Sequence, residues 1–135
     1  MLKEGKWKYQ SYRTEPGAGA TPPTVVFWSP PGKGEVNIVS GGTTGVLKFT
    51  GTPIELALEI EDVAGDPEAV SITAKMKLPG NEYFTNVLLG WKIPDKLNTG
   101  NPDVVRGSIL LTSNDIVPTN PQPIYTCGFF ILEKL

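Results

Sequence analysis

Two stretches in the middle of the chain alternate apolar and polar residues with a period of two, and this limits them to strands. Across 54–61, Ile54, Leu56, Leu58 and Ile60 alternate with Glu55, Ala57, Glu59 and Glu61; across 70–78, Val70, Ile72, Ala74, Met76 and Leu78 alternate with Ser71, Thr73, Lys75 and Lys77. Successive side chains of an extended chain point to opposite faces, so each stretch has one dry face and one wet face. Gly65-Asp66-Pro67 supplies a turn between them, and antiparallel pairing about it sets Glu55 opposite Lys77. A slip of one residue would carry Glu or Lys into the dry side, which the burial cost of a charge forbids.

The remainder of the chain reads the same way. The 15 glycines and 13 prolines cluster between short runs rich in Val, Ile, Leu, Thr and aromatics, as turn punctuation does in an all-β chain. Further strands are expected at 5–13, 24–29, 34–40, 45–50, 83–92, 104–112 and 124–133, which makes eight or nine in all. The long loops fall at 14–23, at 94–102 and around Pro118, Pro121 and Pro123. No apolar pattern of period 3.6 persists over three turns, so helix is limited to a single turn near 94–97. At 135 residues the length suits a single domain spanning 1–135. Strands in this number either close into an antiparallel barrel or stack as a β-sandwich.

Composition narrows the chemistry. Net charge is −2 and the pI about 5.1, with Lys and Arg scattered among Asp and Glu, so neither nucleic acid nor an anionic membrane is an expected partner. The start lacks an apolar leader and no apolar run reaches the roughly 18 residues of a membrane span, which predicts a soluble, cytoplasmic product. Cys127 is the only cysteine and there is no histidine, which removes Ser-His and Cys-His pairs and most zinc sites. Asp62, Asp66 and Glu68 lack the spacing of a calcium loop, and Glu55, Glu59 and Glu61 share one outer face instead of facing each other across a groove. Gly41 to Gly45 has no lysine and no helix start, as a phosphate loop would require. No catalytic residue, metal or cofactor is assigned.

What remains is a candidate binding surface. Trp7, Tyr9, Ser11 and Arg13 share one face of the first strand, and Asn86, Arg106 and Ser108 on later strands can face a common cavity with them. The only two arginines, Arg13 and Arg106, both lie on strands and suit a carboxylate or phosphate clamp. Trp7, Tyr9 and Trp91 supply aromatic walls for a ring or acyl chain.

Gly5-Lys6-Trp7 at the opening of the first strand resembles the Gly-x-Trp signature of the calycin barrels, the lipocalin and avidin group. The resemblance implies an antiparallel up-and-down barrel of about eight strands in which Trp7 closes one end and 124–133 pairs back with the first strand. It also implies the binding of a small, mainly apolar ligand in the barrel mouth, without catalysis. Lys134 stands near the end of the last strand, where lipocalins carry a basic residue across the Trp ring. The Thr-Asp-Tyr triplet of lipocalins is absent, so no specific lipocalin or biotin activity is carried over. Two other readings stay open: a barrel-fold cyclase or isomerase with Asn86 and Arg106 enclosed, and an interaction module with a filled core that presents its long loops. Self-association is left open as well.

Overall fold

The computed structural model describes residues 2–15, 24–27, 33–65, 68–77, 83–93, 104–114 and 127–135; at 13–15, 24–27, 77, 83–84, 111–114 and 127 it describes the backbone alone. Nine strands account for most of these: β1 (Gly5–Glu15), β2 (Thr24–Phe27), β3 (Lys33–Val39), β4 (Thr44–Phe49), β5 (Glu55–Val63), β6 (Ala69–Lys77), β7 (Tyr83–Ile93), β8 (Val104–Asn114) and β9 (Cys127–Lys134). A single turn of 3-10 helix, Ser40–Gly42, joins β3 to β4, and no α-helix occurs among the described residues. No helix among them is long and apolar enough to cross a membrane. The expected turn at 94–97 lies outside the described residues.

Every strand pairing is antiparallel, and β9 pairs along β1 from Trp7 to Arg13, so the sheet closes. A sandwich would leave two open edges here; the β1–β9 ladder joins the first and last strands instead. The wall has eight places, because β2 and β3 lie along the same side of β1. Lys33 pairs with Gln10 and Phe27 with Tyr12, so β1 advances two residues while the other chain advances six. β2 and β3 thus share one place in the wall, which accounts for a sequence that reads as eight or nine strands.

The central hairpin takes the register its alternation demands, with Ala57 opposite Lys75 and Ile60 opposite Ile72. Leu56, Leu58 and Ile60 point inward and are at most 5% exposed, whereas Glu55, Ala57, Glu59 and Glu61 are exposed. Glu55 forms its ion pair with Lys48 on the other neighbouring strand, at 3.4 Å. Both side chains are more than half exposed, so the pair helps the register and adds little stability.

Inward side chains of all eight wall places pack into one core that includes Trp7, Val36, Leu47, Leu56, Ile72, Leu88, Val105, Phe130 and Leu132. The middle of the interior is filled by Phe130. On its rung the neighbours are Ser11, Gly107 and Gly90, and a Cβ on Gly90 would stand 2.7 Å from Phe130 Cζ and 2.6 Å from Val105 Cγ1. Gly90 makes the space that the large ring occupies, while a Cβ on its partner Gly107 would run into the backbone of Leu89 and Gly90.

One end is closed by the start of the chain. Leu2 is buried, Trp7 is 2% exposed, and the Trp7 indole Nε1 donates to the Lys3 carbonyl at 3.0 Å. Gly41 N donates to Glu4 Oε1 at 2.6 Å, which ties 2–4 to the Ser40–Gly42 turn. Gly42 has φ of +91° and a Cβ there would run into the Leu2 carbonyl, so this turn needs glycine for both conformation and contact. Gly5, with φ of +110°, admits Lys134, whose Nζ lies 3.1 Å from the place a Cβ would take.

Candidate functional site

The end opposite Trp7, where β1 and β6 finish and β7 begins, is built differently. The register line that starts at Gly5, Ile38 and Gly45 on the closed side climbs through Leu58 and Ala74 to Asn86 and Leu111, and Arg13, Gly128, Ile109 and Leu88 form another rung. Inward positions toward this mouth include the small residues Ser11, Ala74 and Gly128, all buried. The buried polar side chains among the described residues are Ser11, Thr85 and Asn86, and all three belong to the mouth half. From Trp7 upward, the described interior gains buried polar side chains, set among small residues and the larger Leu56, Phe49 and Met76.

Tyr9 marks the transition. Its ring is 2% exposed and meets Phe49 edge to face, with centroids 6.0 Å apart and planes at 82°. Burial pushes the Tyr9 hydroxyl up to about 12, and its hydrogen bond with Ser11 offsets part of that rise. The phenol is therefore a neutral partner to Ser11 at ordinary pH.

Asn86 sits at an irregularity of the wall. Thr85 pairs with Ser113 but Asn86 pairs with Leu111, which leaves Thr112 as an extra residue on β8. Such a bulge breaks strict alternation and re-aims neighbouring side chains. Accordingly Thr85 and Asn86 are consecutive and both buried, at 9% and 6% exposure.

Of the eight residues expected to face a common cavity, the wall brings Trp7, Tyr9, Ser11 and Asn86 to the inside, with Trp7 at the closed end. For Arg13 only the backbone is described. Trp91, Arg106 and Ser108 are exposed on the outside, because the inward set of β8 is Val105, Gly107 and Ile109 and that of β7 is Leu88 and Gly90. An enclosed Asn86–Arg106 pair and a clamp of two arginines inside the barrel are thereby removed. Lys134 is the register partner of Trp7, and its Nζ donates to the Leu135 carbonyl at 2.7 Å.

The outward residues meet a different environment. Leu89, Ser108, Phe129 and Tyr12 form one outer rung, and Trp91, Arg106, Ile131 and Gln10 the next. Of these, Tyr12, Trp91, Arg106, Ser108, Phe129 and Ile131 line an open groove of about 550 Å³. Sequence reasoning missed Thr85 at the mouth and Phe129 and Ile131 in the groove. The signal for the groove was there: 128–132 reads Gly-Phe-Phe-Ile-Leu, a run without polar alternation, which places apolar groups on both faces. Nothing in the sequence announces the bulge that buries Thr85. Among the described residues no three cysteine or carboxylate groups converge.

Compared with known families, curated proteins and solved structures, the chain matches none of them.

Proposed function

We propose that this chain is a calycin-type binding protein that takes a small, mainly apolar ligand into the mouth of its barrel, without catalysis. The observation that carries this reading is the gradient inside the barrel. Trp7 and the 2–4 segment stop one end, Phe130 fills the middle, and the buried polar groups Ser11, Thr85 and Asn86 gather with small neighbours toward the other end. A site of that kind offers mostly apolar walls and a few directed polar atoms, the usual composition of small-molecule pockets. An eight-stranded barrel is just wide enough to hold one such ligand above a packed floor. Calycin-type closure fits the same picture, with Trp7 on the first strand at the blocked end and β9 returning to β1.

Native mass spectrometry of the gently purified protein, combined with titration by the uncharged apolar reporter N-phenyl-1-naphthylamine, tests the reading. A reproducible extra mass lost on activation, or reporter fluorescence that saturates at one molecule per barrel, is expected. A clean ligand-free mass together with no saturable reporter binding overturns it.

A further inference from the structure

The Asn86 side chain is 6% exposed and, among the described residues, has no hydrogen-bond partner. A carboxamide offers an acceptor oxygen and two N–H donors, so leaving it dry costs about 1–3 kcal/mol, and native structures leave few such groups without a reason. Its rung supplies none, since Leu58 and Ala74 lie to one side and Leu111 holds the register position on the other. The next inward residue on the same strand is Leu88, so a leucine at this depth suits the wall. The register irregularity falls between Thr85 and this residue, while Asn86 itself keeps the inward alternation of Leu88 and Gly90.

Resting on the proposed mouth site, we infer that the ligand carries an amide-type group, a donor beside an acceptor on an otherwise apolar body, and that Asn86 pairs with it through both its N–H and its C=O. Among the described side chains, Ser11, Ala74, Met76, Leu88 and Gly128, which face inward around Asn86, carry no charge, and an uncharged amide matches such surroundings. A ligand with only a carbonyl would use the Asn86 N–H and leave its oxygen unpaired. An amide answers both.

Displacement of N-phenyl-1-naphthylamine by decanamide and by methyl decanoate tests this, the two competitors sharing a chain and differing in the donor. Decanamide is expected to displace the reporter from the wild-type protein at a concentration about tenfold lower, and this preference is expected to shrink to within about twofold in Asn86→Leu and in Asn86→Ala. Removing the unpartnered amide is also expected to leave the melting temperature of Asn86→Leu unchanged or higher, which keeps the comparison among folded proteins; Asn86→Ala serves if leucine does not fit. Equal displacement by both competitors, as a site holding only water at Asn86 would give, overturns the inference while the mouth site stands. A preference that survives in both variants overturns it too. Failure of the reporter to bind the wild-type protein at all removes the mouth site itself.

Discussion

At the end of the barrel where β1 begins, the chain's own first residues lie across the opening, with Leu2 and Trp7 4% and 2% exposed; at the other end the inward positions pass to Ser11, Ala74, Asn86 and Gly128. The closed end is consistent at every level. Its glycines adopt the positive φ its turn needs, Trp7 finds a carbonyl four residues back for its indole N–H, and the side chains around it are large and apolar. The mouth breaks local rules instead: a bulge disturbs the β7–β8 ladder, and a buried amide lacks a partner among the described residues. Stability is concentrated where all the rules agree, and binding is sought where one is broken.

The contrast predicts where the protein is sensitive. Trp7→Ala removes the plug and leaves a hole among Val36, Leu132 and their neighbours, so it is expected to lower the unfolding free energy by about 3–5 kcal/mol, measured by denaturant titration. A loss below about 1 kcal/mol would mean that the closed end is not where the core is anchored.

The next effect belongs to Tyr9, between the two ends. The folded-state value of about 12 lies above the ordinary 10.0 of an exposed tyrosine. Below pH 10 both states keep the proton and the stability is fully present; between pH 10 and 12 the unfolded chain releases a proton that the folded one retains, and stability falls. The loss reaches about 2–3 kcal/mol by pH 12. Tyr9→Phe is expected to lose less by that amount over the same window. Identical alkaline profiles for the two proteins would place the phenol in contact with water and blur the boundary between core and mouth.

How much of this was legible depends on which faces the sequence distinguishes. The hairpin of β5 and β6 could be read to its register because Glu and Lys mark one face of Ile54 to Lys77 as wet. Trp7 and Tyr9 could be read as inward because Lys6 and Lys8 flank them. On β8 and β9 that contrast fails. Phe129 and Phe130 are adjacent and chemically identical, yet one is 48% exposed and the other 1%, and only the barrel's closure decides between them. The polar Arg106 and Ser108 look like cavity groups when a ligand is sought, but the inward set is the alternate one, whose Gly107 lets β8 lie close against the backbone of Leu89 and Gly90. Asn86 was readable as inward from its place two residues before Leu88. Its want of a partner among the described residues was not, since that depends on Ala74 and on strands distant in the chain.

The smallest effect tests whether the closed end is held by its plug or by its strap. Glu4 Oε1 accepts from Gly41 N at 2.6 Å in an exposed position, and this bond joins the chain's start to the Ser40–Gly42 turn. If Trp7 burial does most of the closing, Glu4→Ala should cost only about 0.5–1 kcal/mol, the range for a solvent-exposed hydrogen bond, and Glu4→Gln, which keeps an acceptor oxygen, still less. Denaturation midpoints of the two variants measure this directly. A loss in Glu4→Ala comparable to that of Trp7→Ala would show that the turn and the 2–4 segment fold as one unit with the tryptophan. The plug would then depend on the strap, because Trp7 Nε1 donates to the carbonyl of Lys3, the residue next to Glu4.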